Sequence, residues 1–314
     1  MKKIEINTYQ KPLLFDYNGL FDDFLSLTTL LSLSEYRLVG LSIVKGDCCV
    51  NPVIDATLRI LKLFCRNDIQ IAVGDSPLIN PFPFELRNKC LHISSIKKLA
   101  KQKIDNSQLS ATEAAEFIAK KINEQTEKTT IVASGPAINI ANAIEQFPQI
   151  IEKIEKIIWV AGAFLADGDV VAPDHDGSAE WNIFCHPAAS QIMLKSGVPV
   201  FMIPLDITHQ LPIDNYLIYH LDKNKKNVLS KIALKILEPE FDPRASNYMN
   251  SVLAPVYLGD PDIFNFETKS IAIEQRGTSM GNIYRTSLGN RIKQANFVDA
   301  ETFYDFLIKQ LKQF

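Results

Sequence analysis

The run Asp16-Tyr17-Asn18-Gly19-Leu20-Phe21-Asp22-Asp23 gathers three carboxylates and one amide at the end of an apolar segment. Like charges this close repel one another unless solvent or a cation offsets them. A hard divalent cation with oxygen ligands, Ca²⁺ or Mg²⁺, is the natural partner. A second explanation needs no ion. Asp16 would cap the turn, while Asp22 and Asp23 would sit in the first turn of a helix, where negative charge complements the helix dipole. Spacing alone leaves both open.

The elements that must position these groups alternate from the start. Residues 12–16 (PLLFD) predict a short buried strand that ends in an Asn18-Gly19 turn. A helix over 22–33, a strand over 38–44, a helix over 50–64 and a strand over 69–73 follow. Further apolar runs predict strands at 130–134, 156–160 and 198–203. Ser110-Ala111-Thr112-Glu113 has the spacing of a capping box, and a helix is expected after Gly135-Pro136. From Ile213 onward the chain reads as mainly helical, closing with an amphipathic helix over 300–311. This alternation predicts an α/β protein with a mostly parallel central sheet flanked by helices on both faces, Rossmann-like in plan. No repeat, low-complexity tract or linker divides residues 1–314, so one domain is expected. Ligands of such sheets bind beyond the carboxyl ends of the strands, here the loops after Phe15, Val44, Ser134, Val160 and Ile203.

Composition narrows the partners. Hydrophobic residues make up 46% and charged residues 22%, enough for a sizeable core. A net charge of −3 and a pI near 6.0 offer no basic patch of the kind nucleic acid requires. No apolar run reaches the ~18 residues that span a bilayer. The five cysteines (Cys48, Cys49, Cys65, Cys90 and Cys185) are scattered without CxxC spacing, which suggests neither a disulfide framework nor a zinc site. Residues 1–11 are polar and hold no signal-peptide apolar core. A cytoplasmic protein without nucleic-acid or membrane partners is expected.

The acidic run resembles the amino-terminal DxDxGxDD signature of the nucleoside hydrolases, with its glycine one place early and Leu20 at the usual glycine position. Four other stretches follow in the family's order. Residues 38–48 resemble its second strand and loop. Gly135-Pro136-Ala137-Ile138-Asn139 resembles its GPLTN turn. Ala179-Glu180-Trp181-Asn182 matches its AE(F/W)N motif, and Leu205-Asp206-Ile207-Thr208-His209 resembles its (L/G)D(V/I)TH stretch. The resemblance runs from about residue 12 to about residue 268. It implies the nucleoside hydrolase fold and hydrolysis of the N-glycosidic bond of ribonucleosides to ribose and free base. It also implies a homodimer or homotetramer, and one Ca²⁺ that holds the ribose 2′- and 3′-hydroxyls and a water. An Asp ligand would take that water's proton.

Carried over by position, Asp23 matches the bidentate Ca²⁺ ligand and Asp22 the partner of the ribose 2′-hydroxyl. Ile138 falls where a backbone carbonyl ligates the ion. Glu180 and Asn182 match the residues that hold the 5′- and 3′-hydroxyls, and Asp47 and Asp169 lie near positions that contact ribose. Two positions depart from the pattern. Asn18 stands where the family has the Asp that is both ligand and base. An amide oxygen can coordinate Ca²⁺, but it accepts no proton at neutral pH. Tyr248-Met249-Asn250-Ser251-Val252-Leu253-Ala254 aligns with the (H/W)D-x-LA stretch. This puts Ser251 at the last ligand Asp and Asn250 at the preceding aromatic position. Of three ligand carboxylates only Asp23 remains, so Ca²⁺ binding is expected to be weakened or lost.

Substitute bases are few. His175, in the Pro173-Asp174-His175-Asp176-Gly177 loop, reads first as part of a solvated loop and second as a replacement proton acceptor. His209, at a strand end, is the other candidate. Trp181, Phe21 and Tyr17 would stack on a base or fill the core, with core expected for Phe21 and Trp181. Hydrolysis, weak or lost, and a non-catalytic nucleoside- or ribose-binding descendant are therefore the two leading functions. The FDYNG strand end also resembles that of haloacid-dehalogenase-type phosphatases, but their second Asp is again replaced by Asn18, which places this function third.

Overall fold

The computed structural model describes residues 10–45, 49–83, 90–244 and 247–313. Among them, nine strands form one sheet: β1 (Lys11–Tyr17), β2 (Tyr36–Ile43), β3 (Ile71–Val73), β4 (Thr129–Ala133), β5 (Ile154–Val160), β6 (Val200–Ile203), β7 (Phe264–Ile273), β8 (Ile283–Arg285) and β9 (Asn290–Val298). Their order is β3-β2-β1-β4-β5-β6-β9-β7-β8. Pairings from β3 across to β9 are parallel, and β7 joins β9 and β8 antiparallel.

The parallel strands are apolar on both faces because helices cover both. In β1, Leu13, Phe15 and Tyr17 join one core while Leu14 joins the other. Val132, Ile158 and Val160 continue the first core, and Ile131, Ile157 and Trp159 the second. Burial of side chains this size stabilises the fold by about 2–3 kcal/mol each. The alternation also aims Asp16 to the Leu14 side, toward the helix that follows β4.

The predicted strands through β6 are present. The first helix spans Phe21–Ser32, and every residue of Phe21 through Leu31 is buried. Its Ser26, Thr28 and Thr29 hydroxyls survive burial by donating back to the carbonyls of Asp22 and Leu25. The Ser110–Glu113 capping box does not form. Glu113 is itself the N-cap of the helix Ala114–Asn123, accepting from Ala115 N, while Ser110 Oγ accepts from Thr112 N in a tight turn. The carboxyl-terminal third departs most from expectation. Helices occupy Asn215–Lys223, Val228–Leu237, Leu253–Gly259 and Ala300–Gln310, but residues 264–298 supply β7, β8 and β9. A bulge between Asn265 and Phe266 breaks the two-residue alternation that would have marked β7. Among the described residues no helix is long and apolar enough to cross a membrane.

Strand order reverses between β1 and β4. Such a switch point leaves a crevice at the carboxyl ends of the strands. Ser134 N donates to the carbonyl of Asp16 across it, 3.0 Å.

Candidate functional site

A cavity of about 350 Å³ opens at this switch point. Its wall takes Asn18 from the loop after β1, Ser134 from that after β4, Ala161 after β5 and Leu205 after β6. These are four of the five loops expected from the sequence. The fifth, after Val44, contains Asp47, which lies outside the described residues.

The first loop is shaped by Gly19, whose φ of +90° suits a residue without Cβ; any side chain there would also overlap Val53. This explains the early glycine: the left-handed turn sits at 19, and Leu20 is extended (φ −64°, ψ 165°) as N-cap of the first helix. Leucine offers no acceptor for the helix's free N–H groups. Asp23 supplies one from inside the helix, its Oδ2 accepting from Gly19 N (2.7 Å) and Leu20 N (3.0 Å). Its Oδ1 accepts from Ser134 Oγ at 2.6 Å. Asp22 Oδ2 accepts from Ser251 N at 2.8 Å. Asp16 is fully buried and accepts from Ser42 Oγ (2.5 Å) and Asn139 Nδ2 (2.9 Å).

Burial pushes all three carboxyls up, Asp16 and Asp23 to about 7, with the Asp22 charge adding to the shift of Asp23. The Ser251 hydroxyl faces both Asp22 and Asp23 and eases their ionisation.

These contacts decide whether a Ca²⁺ fits. That ion takes six to eight oxygens and is held tightly by several carboxylates. Here two N–H donors fill Asp23 Oδ2, and one donor each is aimed at Asp23 Oδ1 and Asp22 Oδ2, so this pair alone offers a cation few free lone pairs. Asn18 and Ser251 bring no charge. The side chain of Ile138, the first residue of the helix Ile138–Gln146, packs with Val44, Ala141 and Ala189. Among the described residues no group of three or more His, Cys, Asp or Glu side chains is placed to hold a metal. The donor set does not fit a tightly held divalent cation.

The AEWN segment forms the facing wall. Glu180 is the N-cap of the short helix Trp181–Phe184. Its oxygens accept from Asn182 N (2.8 Å), Ile183 N (3.3 Å) and Gly162 N (3.0 Å). Asn182 Nδ2 donates to the carbonyls of Val160 (3.0 Å) and Ser134 (3.3 Å), tying two strand ends together. Asp169 accepts from Trp181 N at 2.9 Å. Burial and the nearby Asp169 push Glu180 up to about 8 despite its backbone donors, and burial pushes Asp169 up to about 6.

Both carboxyls therefore hold a proton more tightly folded than unfolded. They contribute stability that is whole below about pH 4 and lost as pH rises through about 6 and then 8. The urea midpoint is expected to fall between about pH 5 and pH 8.5. Asp169→Asn keeps an acceptor for Trp181 N and should flatten that fall by about 1–2 kcal/mol. A midpoint that climbs over this interval, or an unchanged slope in the variant, would contradict the assignment.

The two histidines separate. His175 is not solvated and does not line the cavity: its side chain is 3% exposed and packs edge-on against Phe184. Nδ1 accepts from Gly177 N at 3.0 Å, so Nε2 carries the proton and donates to the Met280 carbonyl at 2.9 Å. With both nitrogens spoken for, His175 fastens a loop and is no proton acceptor. His209 does line the cavity, stacked on Tyr248 at 4.3 Å, and burial lowers its pKa, so it is neutral at pH 7. Phe21 and Trp181 are buried and yet contribute to the cavity wall, while Tyr17 is wholly core and bonds Thr57.

Several wall residues were not singled out from sequence. Ser134 has no local signature, since its partner Asp23 is 111 residues away. Phe82 comes from a Pro-rich loop and packs on Trp181 at 4.8 Å. Outside the wall, Asp206 of the Leu205–His209 stretch accepts from Phe164 N, Leu165 N and Ala166 N. Asp22, Asp169, Glu180 and Glu240 lie in the wall with no Lys or Arg among the described residues there. The cavity suits a neutral ligand rich in hydrogen-bond donors and disfavours an anion.

Comparison with known proteins agrees with this geometry. The family model described as inosine-uridine preferring nucleoside hydrolase matches residues 13–305. The pyrimidine-specific ribonucleoside hydrolase RihA of Salmonella paratyphi B is 26% identical over 96% of this chain and 99% of its own. An uncharacterized protein of Schizosaccharomyces pombe is 27% identical over 91% and 94%. Among solved structures, an inosine-uridine preferring nucleoside hydrolase from Bacillus anthracis superposes with a TM-score of 0.90 at 26% identity, covering 97% of this chain and 100% of that one.

Proposed function

This chain belongs to the inosine-uridine preferring nucleoside hydrolase family, and from that premise we propose that it holds a ribonucleoside in the switch-point cavity without cleaving it. The observation that carries this proposal is the pair Asn18 and Ser251, with serine and backbone donors on both oxygens of Asp23 and on Oδ2 of Asp22. Cleavage of an N-glycosidic bond needs an activated water and a group to take its proton. Neither an amide nor a hydroxyl does that at neutral pH. Binding asks less: a polar end for the sugar and an apolar, aromatic end for the base, here Phe82, Trp181 and the His209–Tyr248 stack. The acidic wall favours the nucleoside over its phosphate ester.

Thermal melts in EDTA with inosine, uridine and their 5′-monophosphates test this, alongside ribose release at high protein concentration in Ca²⁺ and in EDTA. A ribonucleoside at a hundredfold excess over its Kd should raise the melting temperature by roughly 5 °C. The monophosphate should not, and no ribose should appear. A second function, slow hydrolysis, is favoured by one observation: His209 is neutral and at the cavity wall. Ribose release that His209→Ala abolishes would establish it in place of the first.

A further inference from the structure

The cavity wall carries four carboxyl side chains, Asp22, Asp169, Glu180 and Glu240, and no Lys or Arg among the described residues. Neutral N–H groups hold Asp22, Asp169 and Glu180, fixing these carboxyls without cancelling their charge. The charges also oppose one another: Asp169 acts on Glu180, and Glu240 on Asp22. Asp22 is 3% exposed and its Oδ1 has no donor among the described residues, so this buried oxygen calls for something from the ligand. The apolar part of the wall is aromatic. Phe82 packs on Trp181 at 4.8 Å, and His209, neutral at pH 7, stacks on Tyr248 at 4.3 Å. Aromatic faces are electron-rich and attract a cation placed within about 6 Å.

We propose that the preferred ligand is a ribonucleoside whose base carries a positive charge, of the N-methylated purine or pyrimidine class, held by the carboxyl wall and the aromatic rings together. The assignment rests on the ribonucleoside proposal above and names the class of base. A neutral base meets the rings alone, whereas a cationic one meets the rings and the field of the carboxyls. The cavity, about 350 Å³, is small against the roughly 10 Å over which salt screens charge, so the wall acts on a base placed anywhere inside. The misfit of a divalent metal does not extend to such a ligand. A metal ion needs several oxygens in direct contact, while a charge delocalised over a ring needs only a negative field and aromatic faces.

The test is calorimetric titration in EDTA and low salt at about pH 7.5, where Asp169 is ionised. Two pairs of methyl isomers are compared: 1-methyladenosine with N6-methyladenosine, and 3-methylcytidine with N4-methylcytidine. The first of each pair is a cation at that pH and the second is neutral. In the pair whose base fits, the cation should bind about tenfold or more tightly than its isomer, and added salt should shrink that ratio. Asp169→Asn and Glu240→Gln should each narrow it by about threefold. Equal binding within both pairs, tighter binding of the neutral member, or a preference that neither variant narrows would each overturn the charge assignment while leaving a ribonucleoside ligand standing. Binding of uridine or inosine with none of the four methylated compounds would do the same. Failure of all six to bind would overturn both. Should a variant not fold, the isomer comparison on the wild type and its salt dependence still decide.

Discussion

Replacing Asn18 and Ser251 together with Asp is expected to make the folded protein dependent on a divalent cation. Both positions are buried, 2% and 4% exposed, and both line the cavity together with Asp22. In the wild type the Asp22–Asp23 pair is held by Ser134 Oγ, Ser251 N and the amides of Gly19 and Leu20. Two further carboxylates would add like charge to a corner where burial already opposes ionisation, and would remove the Ser251 hydroxyl that eases it. An uncompensated buried charge costs about 3–5 kcal/mol, so in EDTA the variant should melt roughly 5–8 °C below the wild type. Millimolar Ca²⁺ should recover most of that loss, because four carboxylates supply the oxygen set the ion requires. The wild type should melt at the same temperature in Ca²⁺ and in EDTA. A wild-type melt that climbs several degrees with Ca²⁺ would contradict the conclusion that its donor set does not fit the ion.

Gly19→Ala is expected to be the most damaging single change in the first loop. The left-handed φ of +90° costs an alanine about 1–3 kcal/mol. Its Cβ would overlap the fully buried Val53, and such overpacking adds about 1–3 kcal/mol. Any backbone shift that relieves the clash moves Gly19 N away from Asp23 Oδ2 and frees the helix N-terminus. A urea titration should show a loss of about 3–5 kcal/mol, with ribonucleoside binding weakened in the same protein. Leu20→Gly, at the position where the family has its glycine, should not rescue it, because Leu20 is already extended and its φ is −64°. Rescue would mean that the turn sits one residue later than described.

How much of this was legible in the sequence depended on the range over which each signal acts. β1 to β6 and the first helix were readable because a parallel sheet buries its strands on both faces, so each is a plain apolar run. The strands after Ile263 were not. β7 and β9 carry Glu267, Lys269, Arg291 and Lys293 on partly exposed faces, and a bulge interrupts their alternation. In the site, Asp22, Asp169, Glu180 and Asn182 were found through motif resemblance, and all four line the cavity. Ser134 matters through Asp23, 111 positions away in the chain, a distance no local pattern spans. His175 was misplaced for a related reason. The polar PDHDG segment looks solvated, but the carbonyl of Met280, 105 residues on, draws the imidazole inward.

The early glycine, Asn18 and Ser251, and the serine-held pair are what the proposal of a pocket that holds the sugar without cutting rests on. Proton NMR of uridine with a stoichiometric amount of the protein, recorded over a day in EDTA and again in Ca²⁺, tests this most directly. Broadened or shifted nucleoside resonances are expected in both samples, with no free-ribose anomeric signals in either. Ribose signals that grow with time, or nucleoside resonances untouched by the protein, would contradict it.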